Sequence, residues 1–335
     1  MYSRLFLSAS LISLSLTVFG QQDIQFSQYV FNGLSVNPAY AGYKEDVYLN
    51  GTYRKQWANF PGAPETGTAS IDGIANVSGS KTVGLGAQVL WDKTGPRESL
   101  SFYASYAYRV RLNSIDDSRL SFGLGLGINQ YSIDGNKLSP ADQSDPNIPL
   151  GKVSALKPNA NFGVYYYNSA FYAGLSVLDL LPVNVYDKAL NGNSTHRNPL
   201  TKKTKHFYFS TGLMINLSEL VKMKPSIMVK EDLKGPTNFD LNAFFLFGER
   251  IWVGGSYRSA IKLWKKSHLQ NDLERTDAAS ILIEVMATKQ LRLGYAYDFT
   301  TSKLANYQSG THEISIGYLL FNKKRGERML SPRYF

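Results

Sequence analysis

The stretch Leu120–Gln130, LSFGLGLGINQ, constrains this chain more than any other. Leu120, Phe122, Leu124, Leu126 and Ile128 occupy every second position, and Ser121, Gly123, Gly125, Gly127 and Asn129 fill the places between. This is the period of a β-strand with one apolar face; a helix would scatter the same residues around its circumference. The other face is unusual. Glycine weakens a strand and packs nothing itself, so three at alternate positions signal a bend, open space or the close approach of another segment.

The alternation recurs along the chain, at Val47–Trp57, Thr66–Ile74, Val83–Trp91 and Leu100–Arg111 before this strand. After it come Phe162–Tyr166, Phe171–Val177, Phe207–Ile215, a shorter Ile227–Val229, Phe239–Phe247, Ile251–Tyr257, Ile281–Ala287, Leu291–Phe299 and Ile314–Leu320. The count is about fourteen strands, near the length a tilted membrane-spanning strand needs. Connections after even-numbered strands are short, whereas the long ones follow the fifth, seventh and eleventh. Long loops at one end and tight turns at the other are the habit of bacterial outer-membrane barrels. The alternative is a soluble sandwich, which would need a second packed sheet and gives no reason for that segregation.

The polar face supports the same reading. Arg54, Arg109, Arg111, Lys230, Asp240, Arg258, Glu284, Arg292, Asp298 and Glu313 alternate with apolar neighbours, so they and Gly123, Gly125 and Gly127 are expected to face a lumen while the apolar face meets lipid. Opposite charges in a barrel interior form a neutralising network or line a transport path. The fold expected is an all-β, antiparallel up-and-down transmembrane barrel.

Composition sets the bounds. The 335 residues are 43% hydrophobic with mean hydropathy -0.23, and past the N-terminus no apolar run approaches the roughly 18 residues of a membrane helix. Arg4, the apolar Leu5–Val18 and the small-residue site at Val18 and Gly20 read as a signal peptide over residues 1–20, cleaved before Gln21; an uncleaved anchor is the runner-up. The absence of cysteine excludes disulfides, thiolate metal sites and cysteine nucleophiles. A net charge of +10 favours anionic partners such as lipid head groups or acidic polysaccharide, and export makes nucleic acid a poor candidate. With 22 Tyr among the aromatics, Trp57, Trp91, Tyr108, Trp252 and Tyr297 are expected as anchors at the membrane interface.

No motif points to catalysis or a cofactor. The glycine series lies inside a strand rather than between strand and helix, unlike a dinucleotide loop. His196, His206, His268 and His312 fall in or near expected loops as solvated residues, with no nucleophile-and-base signature. Asp142, Asp145 and Asn147 offer oxygen ligands for calcium, but Pro140, Pro146 and Pro149 favour an ordinary exposed loop. Lys202, Lys203 and Lys205 read as a solvated basic loop, with contact to lipopolysaccharide or an acidic partner as the alternative.

Two terminal stretches are informative beyond periodicity. QDIQFSQYVFN and NPAYAG within Gln22–Gly42, then Tyr53-Arg54-Lys55-Gln56-Trp57 and FPGAP at Phe60–Pro64, resemble the opening of the PorP/SprF family of outer-membrane proteins; Gly33-Leu34 after Asn32 departs locally. Ser331-Pro332-Arg333-Tyr334-Phe335 resembles that family's ending. The resemblance implies a barrel of the type IX secretion system of Bacteroidetes, in which members support secretion or surface retention of a partner protein and, in some cases, gliding motility.

The expected organisation is an irregular segment over 21–45 in the periplasm or the lumen, a barrel over 46–322 and a periplasmic tail over 323–335. Gln25, Phe26, Gln28, Tyr29, Phe31, Asn32, Asn37, Pro38, Tyr40, Arg333, Tyr334 and Phe335 are the candidate contacts, either to a periplasmic partner or, for the N-terminal residues, to the lumen wall. The function expected is non-enzymatic: a barrel that anchors or assists type IX secretion components or a secreted surface protein. The alternative is a porin or small-solute transporter. Something is expected to pack against Gly123, Gly125 and Gly127, either the N-terminal segment or a folded-in loop.

Overall fold

Alternating two-faced strands bury their backbone polar groups in a bilayer only by closing on themselves. This chain does so. The computed structural model describes residues 25–75, 81–113, 118–139, 149, 151–181, 183–185, 201–261, 263, 264, 266 and 276–320. The signal peptide, the tail with Arg333, Tyr334 and Phe335, the Asp142, Asp145 and Asn147 group, His196 and His268 lie outside the described residues.

The barrel strands are β1 (Val47–Lys55), β2 (Glu65–Ala75), β3 (Val83–Thr94), β4 (Arg97–Arg111), β5 (Arg119–Asp134), β6 (Lys152–Tyr167) and β7 (Phe171–Leu178). They continue as β8 (His206–Leu213, prolonged by Ile215–Asn216), β9 (Val221–Glu231), β10 (Thr237–Phe247), β11 (Ile251–Ile261), β12 (Thr276–Met286), β13 (Leu291–Thr300) and β14 (Thr311–Leu320). Each pairs antiparallel with its sequence neighbours. The two pieces of β8 face the same partner, β9, on either side of Met214, so the sheet has 14 strands. Closure comes from β1 on β14, in register from Val47 opposite Leu320 to Lys55 opposite His312. A separate ribbon pairs Val183–Val185 with Thr201–Lys203, in the stretch read as a basic loop. The ninth strand is longer than the short Ile227–Val229 expected: its ladder with β10 runs from Val221 to Lys230, with Lys224, Ser226, Met228 and Lys230 on the inner face, where Met228 breaks the polar alternation, and Pro225 on the outer one.

Connections 56–64, 135–151, 179–205, 262–275 and 301–310 gather at one end of the barrel, called here the loop end. Tighter turns, among them 168–170, 217–220, 248–250 and 287–290, gather at the other, the turn end.

The barrel is inside out relative to a soluble protein. On β5, Leu124 is 44% exposed, Leu126 57% and Ile128 47%, while Ser121 on the opposite face is fully buried. The same apolar girdle passes through Phe102, Leu175, Leu241, Ile281 and Ile316. A continuous exposed apolar band of this extent marks a lipid-facing surface. Leu126 lies near mid-strand on that band, so Leu126→Arg is expected to destabilise the barrel by about 2–4 kcal/mol. Urea unfolding in phospholipid vesicles measures this, and an unchanged midpoint would contradict a lipid-facing assignment.

Candidate functional site

Residues 25–46 cannot continue the alternation, because Gly33, Pro38 and Gly42 punctuate them. They form three short 3-10 turns instead, Tyr29–Phe31, Gly33–Ser35 and Pro38–Tyr40. Asn37 begins the last of these. Its backbone is extended, its side-chain oxygen accepts from the Ala39 amide at 2.9 Å, and Pro38 follows at the first helical position, where a missing N–H costs nothing. The segment lies inside the barrel and runs from the level of the loop end at Ser27 to the turn end, where β1 starts.

At the loop end the segment meets charge. Arg54 and Glu313 are cross-strand partners on β1 and β14, and both point inward. The Arg54 guanidinium sits 2.7 Å from Asp298 and 3.0 Å from Glu313. The N-terminal segment supplies further donors: the Ser27 hydroxyl donates to Asp298 at 2.7 Å, and the Ser27 and Gln28 amides each donate to Glu313 at 2.8 Å. Ser315 completes the set by donating to Gln28 Oε1 at 2.6 Å. One cation thus faces two carboxylates, and backbone and hydroxyl donors make up the difference. Beside it, Asp240 is ion-paired with Lys230 at 2.7 Å and Arg258 at 3.0 Å, and Asn242 donates to the Tyr29 hydroxyl at 2.5 Å. Asn32 donates to Thr68 at 3.3 Å.

Lower down, Phe31 occupies a socket that alternation did not reveal. Phe244, Leu246, Trp252 and Leu282 point inward, and the Phe31 ring lies 5.8 Å from both Phe244 and Trp252. Trp252 is therefore buried in the lumen rather than anchored at the interface. The strands β10 to β12 carry apolar residues on both faces here, which blurs the period, and only the partner across the lumen identifies the inner set. Arg292 closes over this socket, donating to the Phe31 carbonyl at 3.3 Å and to Asn50 at 2.8 Å, with Glu284 3.5 Å away.

The opposite wall is β3 to β6. Tyr40 and Tyr43 form an aromatic cluster with Tyr165 and Tyr167, centroids 4.7 to 5.7 Å apart in the pairs Tyr40–Tyr43, Tyr40–Tyr165 and Tyr43–Tyr167. The Asn37 amide donates to the Val164 and Leu175 carbonyls, at 3.1 and 3.3 Å, and Ser121 donates to the Ala39 carbonyl at 2.8 Å. The glycines make this approach possible. A methyl group on Gly123 would overlap the Ala39 backbone, one on Gly125 would touch Pro38 at 3.6 Å, and one on Gly127 would overlap the Tyr103 ring across the β4–β5 ladder. Gly123 thus admits the segment, Gly125 borders it at ordinary contact, and Gly127 makes room for the Phe102 carbonyl and the Tyr103 ring.

Arg109 is fully buried, 2.6 Å from the Tyr167 hydroxyl and 3.6 Å from Glu45. Arg111 is exposed instead of lining the lumen: it ends β4 opposite Arg119, so it keeps the inward pleat but lies past the packed interior. Gln25 is half-buried, and Phe26 is buried with Tyr208 and Met228. His206 is no solvated loop residue; it opens β8, buried, with Nδ1 3.7 Å from Asp179. His312 sits on β14 against the Tyr295 hydroxyl at 2.8 Å. Among the described residues no group of three or more His, Cys, Asp or Glu side chains is arranged to hold a metal ion.

Removing one member of a buried charge cluster leaves the others uncompensated, so Arg54→Ala is expected to destabilise the folded barrel by about 3–5 kcal/mol. Gly123→Leu, which drives a side chain into the Ala39 backbone, is expected to cost about 1–3 kcal/mol and to open the segment's Tyr and Phe sites to chymotrypsin. Urea midpoints and cleavage rates in vesicles read both, and wild-type values for either would count against a docked segment.

Comparison with known proteins bears on what such a barrel is. No curated protein matches the chain in sequence. Among solved structures, the CymD monoaromatic hydrocarbon channel superposes with a TM-score of 0.51 at 11% identity, covering 87% of this chain and 93% of that one. The Pseudomonas putida toluene transporter TodX gives 0.48 at 9% identity, with 86% and 93% covered. A Pseudomonas aeruginosa FadL homologue gives 0.47 at 9%, with 89% and 95% covered. At such identities the likeness to CymD speaks for the outer-membrane barrel fold alone. The sequence itself is more specific: residues 18–318 match the family described as type IX secretion system membrane protein PorP/SprF. That match spans the lumen segment and nearly all of the barrel, and the chain belongs to the PorP/SprF family of outer-membrane proteins.

Proposed function

We propose that this barrel acts as a non-enzymatic anchor or assistant of the type IX secretion machine, or of a surface-displayed protein that the machine exports. The observation that carries the reading is the filled lumen. Five aromatic side chains between Phe26 and Tyr43 would be needless cargo in a solute pore; here all five, Phe26, Tyr29, Phe31, Tyr40 and Tyr43, are buried against the wall. Side chains that fill a lumen stabilise the barrel by roughly 1.5–3 kcal/mol each and obstruct diffusion through it. A barrel so built offers its ends and its rigid wall, not its interior, to partners.

The family to which the chain belongs supports the secretion context, and the short turns, the start of β1 and the end of β14 share one end, the periplasmic end in barrels of this kind. A periplasmic partner would thus meet the turn end and the C-terminal residues Arg333, Tyr334 and Phe335, whereas Gln28, Tyr29, Phe31, Asn37, Pro38 and Tyr40 act inside, holding the segment to the wall. Gliding motility is one process such a role would serve.

Deleting the gene is expected to deplete type IX cargo from the cell surface; normal display of every cargo would reject the secretion role. The porin reading makes the opposite physical prediction. In planar bilayers the purified full chain is expected to show no sustained open-pore current, and a steady conductance that falls in Arg109→Ala or Arg258→Ala variants would move the assignment to solute transport.

A further inference from the structure

A sheet of 14 strands returns both its edges to one end, and here Val47, which opens β1, lies opposite Leu320, which closes β14, at the turn end. The segment ahead of β1 adds one further crossing of the barrel, made through the lumen. Its contacts descend in chain order. Phe26 packs with Tyr208 and Met228 near the loop-end termini of β8 and β9, and the Ser27 and Gln28 amides reach Glu313 near the start of β14. Phe31 lies beside Phe244 and Trp252 in the turn-end halves of β10 and β11. Gly42 then donates to Asp72 at 2.9 Å, and Glu45 accepts from Lys81 at 2.7 Å just ahead of β3.

We propose that the barrel closes around this segment and leaves the amino end of the mature chain at the cell exterior. The loop end faces the exterior in outer-membrane barrels, and Gln25 stands at that level, beside Leu178 and Asp179. Cleavage of the signal peptide before Gln21 leaves residues 21–24 ahead of it, about 14 Å of chain at full extension. The way back to the periplasm is longer. Arg54 lies seven residues above Val47 on β1, roughly 16–19 Å of height for a strand that rises about 3.3 Å per residue and tilts by about 35–45°. That path is also filled, by Tyr29, Phe31 and Tyr40.

The order of assembly follows from what the segment touches. It bridges the two sides of the β1–β14 seam: Gln28 accepts from Ser315 on β14 at 2.6 Å, Ser27 accepts from Arg54 on β1 at 2.8 Å, and Asn32 donates to Thr68 on β2 at 3.3 Å. The segment is continuous with β1, so it reaches β1 and β2 locally. The seam joins the first strand to the last and carries the largest loop-closure cost of any pair in the sheet, which a docked segment offsets by binding both edges. Head-first threading of a closed barrel would instead drag Phe26 and Tyr29 past the inward Tyr165, Tyr167, Trp252 and Arg292 of the turn-end half.

The inference concerns topology and stands whether or not the barrel serves secretion. The chain has no cysteine, so a single introduced thiol reports one position. On intact cells producing the full chain, a membrane-impermeant maleimide is expected to label Gln22→Cys as readily as Lys137→Cys at the loop end. Glu219→Cys at the turn end is expected to react only after the outer membrane is permeabilised. Mass spectrometry of the purified protein is expected to find Gln21 as the first residue. Closure of the full chain in vesicles is followed by the heat-modifiable gel mobility of a folded barrel. Phe31→Ala removes a docking contact, so docking before closure predicts closure slower by about tenfold or more. The milder Phe31→Leu is expected to close several-fold slower, and its rate decides the matter if Phe31→Ala does not close. Labelling of Gln22→Cys only after permeabilisation or not at all, a retained signal peptide, or closure of Phe31→Leu at the wild-type rate would overturn the proposal.

Discussion

A barrel whose interior is filled by polypeptide must give every inward polar group a partner that water would otherwise supply. That requirement governs this molecule. Arg54, Asp298 and Glu313 leave an excess carboxylate, and the Ser27 and Gln28 amides with the Ser27 hydroxyl answer it. Asp240 is answered by Lys230 and Arg258, and the carbonyls of Val164 and Leu175 take a donor from Asn37. The N-terminal segment is thus as much a part of the barrel's hydrogen-bonding scheme as any strand.

The same requirement explains why the family's opening motif is so particular. In QFSQYVFN, Phe26 packs with Tyr208 and Met228, Ser27 and Gln28 hold the acidic pair, Tyr29 accepts from Asn242, and Phe31 fills the socket around Trp252. In NPAY, Asn37 both caps a turn and binds the wall, and Tyr40 enters the tyrosine cluster. Together these side chains engage the lumen wall from the acidic pair to the tyrosine cluster. A segment that docked a mobile partner on an exposed surface would bury far less of itself.

Directional filling also divides the interior. Below Gly127 the wall is shaped for the segment; above it the wall turns to buried tyrosines and amides. One strand, β5, thus serves lipid with one face and presents two different interior surfaces with the other, through a change from glycine to asparagine and tyrosine in a few residues.

Much of this was legible in the chain. Alternation assigned Leu124 and Ile128 to lipid and Arg109, Glu284 and Arg292 to the interior, because a side chain's face is a local property of the strand. The spacing of turns gave the two unlike ends, and the N-terminal motifs lie within the stretch that matches the family. Tertiary structure decided the rest. Arg111 shares its pleat with Arg109 yet lies at the rim, since pleat says nothing of depth along the barrel. Trp252 faces inward because Phe31 meets it there, and His206 is buried where its strand begins. The glycines announced a close approach, but that Ala39 makes it at Gly123 while Tyr103 makes it at Gly127 depends on which atoms closure brings across the lumen. Sequence determines the face each residue presents; only the closed barrel determines what it meets.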